Sequence, residues 1–428
     1  MSRRHIFTTV TLWGVAAFLL MCGQACAQQK KKPTPKRPER IEEHIDYRSF
    51  EAKAHSEYIL DKTVDLNGEA WQLPEGMTIV CRGGIFRNGT LAGNGTCIKF
   101  QDSSSRFQGD GVLFDNVRIK GSWNVPHIST AIFRDLSYDN ALRDVMALAS
   151  PAMQNTVTIA EGCYTFALKE GDDIGIVVPD STHLVLYGTL TMKPCNMLYY
   201  DIISVEGENI HITGRSNIVG DKDRHKGIVG EWGMGVRFKG ARNCSLAGLS
   251  ISECWGDGIC IGHESKDITV RNCNISKCRR QGITVGAADN VLIEDVNIAE
   301  IAGTKPEYAI DVEPNKTQSA SNVVVRRVTA TNCQGAFKAT VNRGSSVTGV
   351  VFDGCKAFNT GRWPVFKIKD CKNVLVKDCI VEGSNSRYTI VAVCNKDIAF
   401  RGNSFHIQNR LSYTNKDIVF DNNEIIRQ

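Results

Sequence analysis

The sequence predicts an all-β protein, a parallel β-helix, and three observations carry that prediction. First, a Val/Ile-rich strand recurs down the second half of the chain: CSLAGLSI (244–251), ITVRNCNI (268–275), VLIEDVNI (291–298), VVVRRVTA (323–330), VVFDGCKA (350–357), VLVKDCIV (374–381), IAFRGNSF (398–405) and IVFDNNEI (418–425). Its third apolar anchor falls at Leu246, Val270, Ile293, Val325, Phe352, Val376, Phe400 and Phe420, in steps of 24, 23, 32, 27, 24, 24 and 20 residues. Second, apolar residues alternate inside each copy, with Gly, Asn and Asp between copies, as in a chain winding as a solenoid. Third, the segments between copies are poor in helix-forming patterns, which argues against leucine-rich and ankyrin arrays.

Each segment follows in order. Residues 1–27 read as a secretory signal peptide: Arg3 and Arg4 lead an apolar run from Ile6 to Met21, and Ala25-Cys26-Ala27 offers a small-x-small cleavage site. The run is short for a membrane span, so no stable membrane insertion is expected after cleavage. The protein is expected to be secreted or periplasmic, with a lipid-anchored surface form as the alternative, through Cys22 or Cys26. Residues 28–44 include KKKPTPKRPER, a basic, proline-rich linker. Residues 1–44 hold 8 of the 51 Lys/Arg and 3 of the 46 Asp/Glu, so the body retains 43 of each. A formally neutral body gives no ground for a nucleic-acid partner.

Residues 45–428 are read as one β-helix domain, irregular over about 45–200 and regular over 200–428. In the irregular part, Tyr138-Asp139-Asn140 opens ALRDVMALASPAM, an amphipathic helix with Asp139 or Asn140 as N-cap. Such a helix suits the cap that a solenoid end requires.

The fourteen cysteines beyond residue 27 follow the repeat. Cys273, Cys355 and Cys379 each lie three residues after a strand anchor, where other coils carry Val296 and Val328, so an inward apolar column is expected. Cys254 and Cys278 each precede a strand-opening glycine by four residues. Coils ~4.8 Å apart would allow a disulfide there, and a buried thiol ladder fits equally well. No CxxC pair occurs, which leaves a zinc site without its usual spacing.

Strand-turn segment, Asp-Asn-x-x-Leu helix and Val-Thr-Ile-x-x-Gly-x-Tyr (157–164) come in an order that resembles the entry to the pectate-lyase-like superfamily of right-handed β-helices, which includes polygalacturonases, polysaccharide lyases and tailspike depolymerases. The resemblance covers roughly residues 50–428 and implies a right-handed solenoid. For activity it implies a carbohydrate-active protein without specifying the reaction.

A second set of strands stacks coil on coil: EWGMGVRFKG (231–240), CWGDGICIG (254–262), RRQGITVG (279–286), EYAIDVEPN (307–315), QGAFKATVN (334–342) and WPVFKIKD (363–370). With Ile259/Ile261, Ile283/Val285 and Ile310/Val312 inward, the intervening residues point out. One outward column then reads Arg237, Cys260, Thr284, Asp311, Lys338, Lys367; the next contains Lys239, Glu313, Thr340 and Lys369. Entry turns add Glu231-Trp232, Trp255-Gly256-Asp257 and Arg279-Arg280-Gln281. The preceding loop GDKDRHKGIVGE (220–231) is dense in charge, with Asp223 and His225.

Carboxylates, cations and indole rings on one face suit a polysaccharide or oligosaccharide groove. Acids supply proton transfer, Trp232 and Trp255 stack on sugar rings, and Arg279, Arg280, Lys338 and Lys367 suit an acidic glycan. Asp257, Asp311 and Glu313 are the catalytic candidates; Asp223, His225, Glu231 and Gln281 join the aromatic and basic residues as substrate contacts. Two strand steps would place the Asp311 and Glu313 Cβ atoms about 6.6 Å apart, and Asp257 would lie two coils below Asp311, on the order of 10 Å away, spacings nearer the ~6.5–9.5 Å of inverting glycosidases.

Plainer readings stand beside these. Asp311 and Lys338 could form an ordinary cross-coil ion pair, Asp257 could serve its turn, His225 could be solvated, and the paired arginines could bind backbone carbonyls. The resemblance to polygalacturonases extends to Trp-Gly-Asp-Gly at 255–258 and Arg-Gln-Gly at 280–282; their Arg-Ile-Lys is replaced by Ile-Asp-Val-Glu-Pro at 310–314. Three functions therefore remain: a glycoside hydrolase without cofactor; a polysaccharide lyase in which Asp311 and Glu313 hold Ca²⁺ and Arg280 or Lys338 takes the proton; and a non-catalytic glycan-binding or structural surface β-helix.

Overall fold

The computed structural model describes residues 40–41, 53–100, 112–120, 127–134, 136–149, 153–393, 395–407, 410–413 and 418–427. The expected signal peptide and residues 28–39 of the linker lie outside them. Arg40–Ile41, within the expected linker, is a short strand in parallel register with Glu57 and Tyr58.

The chain is a parallel β-solenoid of about 14 turns. Each regular coil gives one strand to each of three parallel sheets, of 12, 11 and 10 strands. Strict register explains the repeat: Leu246 pairs with Val270, Val270 with Ile293, Ile293 with Val325 and Val325 with Phe352. Irregularity before about residue 120 corresponds to a separate six-stranded parallel sheet that includes Glu57–Leu60, Thr78–Cys81 and Gly89–Phe100.

Left-handed residues make the corners. Between the 12- and 11-stranded sheets, successive coils turn on Gly248, Asn272, Asp295, Arg327, Gly354, Asp378, Gly402 and Asn422, all with φ between 50° and 80°. Gly, Asn and Asp tolerate that conformation, which is why they punctuate the repeat. Arg327 is the exception, and its guanidinium clasps Asp295 on the coil before at 2.7 and 2.8 Å.

The residue after each corner turns inward. Cys273, Val296, Val328, Cys355 and Cys379 are buried in one column. At the next corner Cys254, Cys278, Ile301 and Cys333 form a second. Cys254 and Cys278 are both free thiols, so they belong to a thiol ladder. Glycine makes its room: a Cβ at Gly258 would lie 3.3 Å from Cys278 Sγ and 2.5 Å from Ile275 Cγ2.

The helix is shorter than its pattern, Ala141–Met146, and buries Ala141, Leu142, Val145 and Met146. Asn140 stands at the N-cap, where its carbonyl accepts from the Arg143 N–H but its side chain does not cap the helix; that side chain instead binds Ala167 through both backbone groups, and Asp139 accepts from Thr165. The edge strand Ile174–Val178 of the 10-stranded sheet lies beside it. Arg143 donates to the Ile174 and Gly175 carbonyls, acceptors that an edge leaves unpaired.

Candidate active site

The 10-stranded sheet carries the face on which the candidates meet. Its register runs Arg237–Cys260–Thr284–Asp311–Lys338–Lys367, the outward column expected from the alternation. Above it opens a cleft of about 330 Å³ whose lining includes Trp232, Asp257, Arg280, Thr284, Asp311 and Glu313.

Asp311 and Glu313, two positions apart on either side of inward Val312, share one cation. Lys338 Nζ, on the next coil, donates to Asp311 Oδ2 at 3.1 Å and to Glu313 Oε2 at 2.6 Å. Gln281 donates to the same Asp311 oxygen and receives the Tyr308 N–H at 2.8 Å. Thr340 donates to Glu313 Oε1 at 3.0 Å. Asp311 Oδ1 is buried without a partner.

These surroundings drive the two acids apart. Burial lifts the Asp311 carboxyl to about 6; Lys338 opposes that lift and Glu313 adds to it. Burial would lift Glu313 too, but Lys338 and Thr340 outweigh it and hold the group below the usual glutamate value. Below about pH 6 Asp311 carries a proton while Glu313, held lower, ionises more readily.

Asp257 is fully buried at the strand entry. Arg280 Nη1 contacts its oxygens at 3.1 and 3.0 Å and Thr284 donates at 2.7 Å. Burial raises its pKa against the pull of Arg280 and Thr284. Arg280 also reaches Glu231 at 3.5 Å, so it is committed to two carboxylates. The register sets Asp257 level with Gln281, and Gln281 opposite neither Thr284 nor Asp311 but three positions before Thr284. Asp257 is therefore displaced along the sheet rather than directly below Asp311. Both carboxylates reach one ammonium, which keeps the contacting oxygens below the ~6.5–9.5 Å of inverting pairs.

Several expected contacts point elsewhere. Trp255 is 7% exposed, packed between the His225 ring, 3.8 Å away and nearly parallel, and the Arg279 guanidinium, 3.8 Å from its centroid. Arg279 donates to the Gly230 carbonyl at 2.6 Å, so the carbonyl-binding alternative describes it. His225 is buried against Asp221 at 2.9 Å rather than solvated. These three brace the 220–231 loop. Asp223 is exposed on the turn Lys222–Arg224. Lys367 stands in register beyond Lys338, half-buried, and burial followed by the Lys338 charge lowers its pKa.

Sequence reasoning passed over Tyr199 and Asp201. Tyr199 lies opposite Trp232, and both rings are about half exposed, 47% and 49%. Asp201 pairs with Met234, contacts Arg237 at 2.9 Å and is lifted by burial to about 7. The strand Tyr199–Val205 breaks the apolar alternation with consecutive buried residues, and the 220–231 loop separates it from the next coil, which hid its register.

A groove of acids, bases and aromatic rings on one sheet of a parallel solenoid defines the class, a β-helix with a lateral site. The chain belongs to the family described as right handed beta helix region, which it matches over residues 195–352 and 267–425. It is 29% identical over 188 residues to YclG, an uncharacterized protein of Bacillus subtilis (strain 168), covering 37% of this chain and 32% of that one. It is 28% identical over 163 residues to YorA, an uncharacterized SPbeta prophage-derived protein of the same strain, covering 32% and 28%. The chain spans about a third of the length of the curated relatives it matches. Solved structures with a similar course include an exopolygalacturonase from Thermotoga maritima (TM-score 0.46, 14% identity, 70% of this chain and 91% of that one) and an alginate lyase from Paenibacillus sp. (0.41, 15%, 71% and 98%). At those scores neither bears on the chemistry.

Proposed function

We propose that the protein is a secreted glycoside hydrolase that cleaves a polysaccharide with Asp311 and Glu313. The observation that carries the proposal is the divided carboxyl pair: Asp311 lifted to about 6 and Glu313 held below its usual value, both on a cleft wall and bridged by Lys338. Asp311 gives its proton to the glycosidic oxygen as that C–O bond breaks, and Glu313 attacks the anomeric carbon to form an ester. Water, deprotonated by Asp311, then displaces Glu313, and both groups return to their starting states. Lys338 keeps Glu313 ionised from the buried side. Tyr199 and Trp232 provide faces for a sugar ring. Arg237, Lys367 and Lys369 on the same sheet suit an acidic glycan. Export through residues 1–27 would place the protein where such polymers occur.

The calcium form of the lyase reading fits poorly, because the Lys338 ammonium stands between the carboxylates that would hold the ion. A metal-independent lyase draws support from Lys367, whose lowered pKa suits a base. Digestion of acidic and neutral polysaccharides with mature protein, with calcium and then chelator, separates the readings. Reducing ends without the ultraviolet absorbance of unsaturated uronates, unaffected by chelator, are expected. Absorbance that accompanies cleavage would overturn hydrolysis.

A further inference from the structure

Beneath the 220–231 loop, three unlike donors converge that do not line the cleft. Cys195, Asp221 and His225 bring a sulfur, a carboxylate oxygen and a ring nitrogen within 4.8 Å of one another. Cys195 is buried, and the side chains of Asp221 and His225 have no exposed surface. His225 Nδ1 lies 2.9 Å from Asp221 Oδ2 and 3.9 Å from Cys195 Sγ.

This geometry does not make a nucleophile relay. In a relay, acid and nucleophile occupy opposite nitrogens of the imidazole. Here thiol and carboxylate both address Nδ1, while Nε2 is buried without a partner. Donors that crowd one nitrogen are the arrangement a single cation between them would satisfy. A tetrahedral ion with Zn–S of ~2.3 Å and Zn–N of ~2.0–2.1 Å holds its nitrogen about 3.3 Å from an oxygen and about 3.5 Å from a sulfur, each within about 0.5 Å of the separation found here. Sulfur and imidazole select a zinc-class transition ion over calcium or magnesium.

The surroundings already orient the donors. Tyr200 donates to Asp221 Oδ1 at 2.6 Å and the Cys195 N–H to Oδ2 at 3.0 Å, the outer contacts that aim a ligating carboxylate. Stacking on Trp255 fixes the His225 ring. The loop itself has little apolar anchorage, since Ile228 and Val229 are 89% and 62% exposed.

We infer that Cys195, Asp221 and His225 form a site for one zinc-class ion that fastens the loop leading into Glu231 and Trp232. The inference is independent of the reaction in the cleft. To test it, untagged protein is stripped with chelator and titrated with zinc, then separately with cobalt(II). One zinc per chain should survive gel filtration and raise the melting temperature. The cobalt form should show a thiolate charge-transfer band in the near ultraviolet, and Cys195→Ser should lose both the band and the retained zinc. Zinc retention by the unmodified protein no greater than by Cys195→Ser, or cobalt bound without the band, would overturn the site. The spectrum of the unmodified protein decides the question even if the variant fails to fold.

Discussion

Lys338 Nζ stands 2.6 Å from Glu313 Oε2, reaching back from the next coil. The same ammonium binds Asp311, so one buried cation governs two acids of the cleft. It holds Glu313 ionised, and it limits without cancelling the rise that burial imposes on Asp311.

That coupling fixes a pH profile. Asp311 acts as an acid only while protonated, so kcat should fall as pH rises through about 6. Lys338→Met removes the charge that restrains Asp311, so the alkaline limb should move to higher pH while kcat drops through loss of ionised Glu313. Stability follows the same sign. A folded-state pKa above the unfolded value of ~3.9 gives a contribution fully present below about pH 4 and lost as pH rises through about 6. Rate profiles and melting curves between pH 4 and 8 measure both.

The two tryptophans should separate. Trp232→Ala removes a half-exposed ring and should raise KM severalfold, consistent with about 0.5–1.5 kcal/mol for an aromatic contact, with little change in melting temperature. Trp255→Ala opens the space between His225 and Arg279 and should cost about 3–5 kcal/mol in denaturant titration.

Coil packing gives a stability test of its own. A Cβ at Gly282 would meet the Ala309 carbonyl at 2.5 Å and Ile298 Cγ2 at 2.6 Å, whereas Gly262 has nothing within 4 Å. Gly282→Ala should cost about 1–3 kcal/mol through overpacking, and Gly262→Ala should leave the denaturation midpoint nearly unchanged.

Thiol labelling reads the first inward column. Brief alkylation of folded protein should modify exposed Cys163 and spare Cys273, Cys355 and Cys379, with peptide mass spectrometry as the readout. Rapid labelling of those three would contradict the packing.

The solenoid was legible because two constraints repeat: alternation that buries Leu246, Val270, Ile293 and Val325 in register, and left-handed corners that select Asn, Asp and Gly. The outward column from Arg237 to Lys367 followed from the same period. What alternation does not encode is where a long side chain ends. Arg279 and Arg280 are neighbours in sequence, yet one binds the Gly230 carbonyl and the other Asp257. Trp255 and Trp232 both sit at coil entries, and only the second faces solvent. The Cys195–Asp221–His225 cluster escaped because its members lie 26 and 4 residues apart, outside any short spacing rule, and meet only when the loop folds back.

Turnover of Asp311→Asn and Glu313→Gln, measured on a cleaved glycan alongside melting temperature, addresses the carboxyl pair most directly. Each variant should remain folded and lose about 10²–10⁴-fold in kcat, the usual share of acid–base catalysis. Near-normal turnover by either folded variant would contradict the assignment and move the chemistry elsewhere on this face.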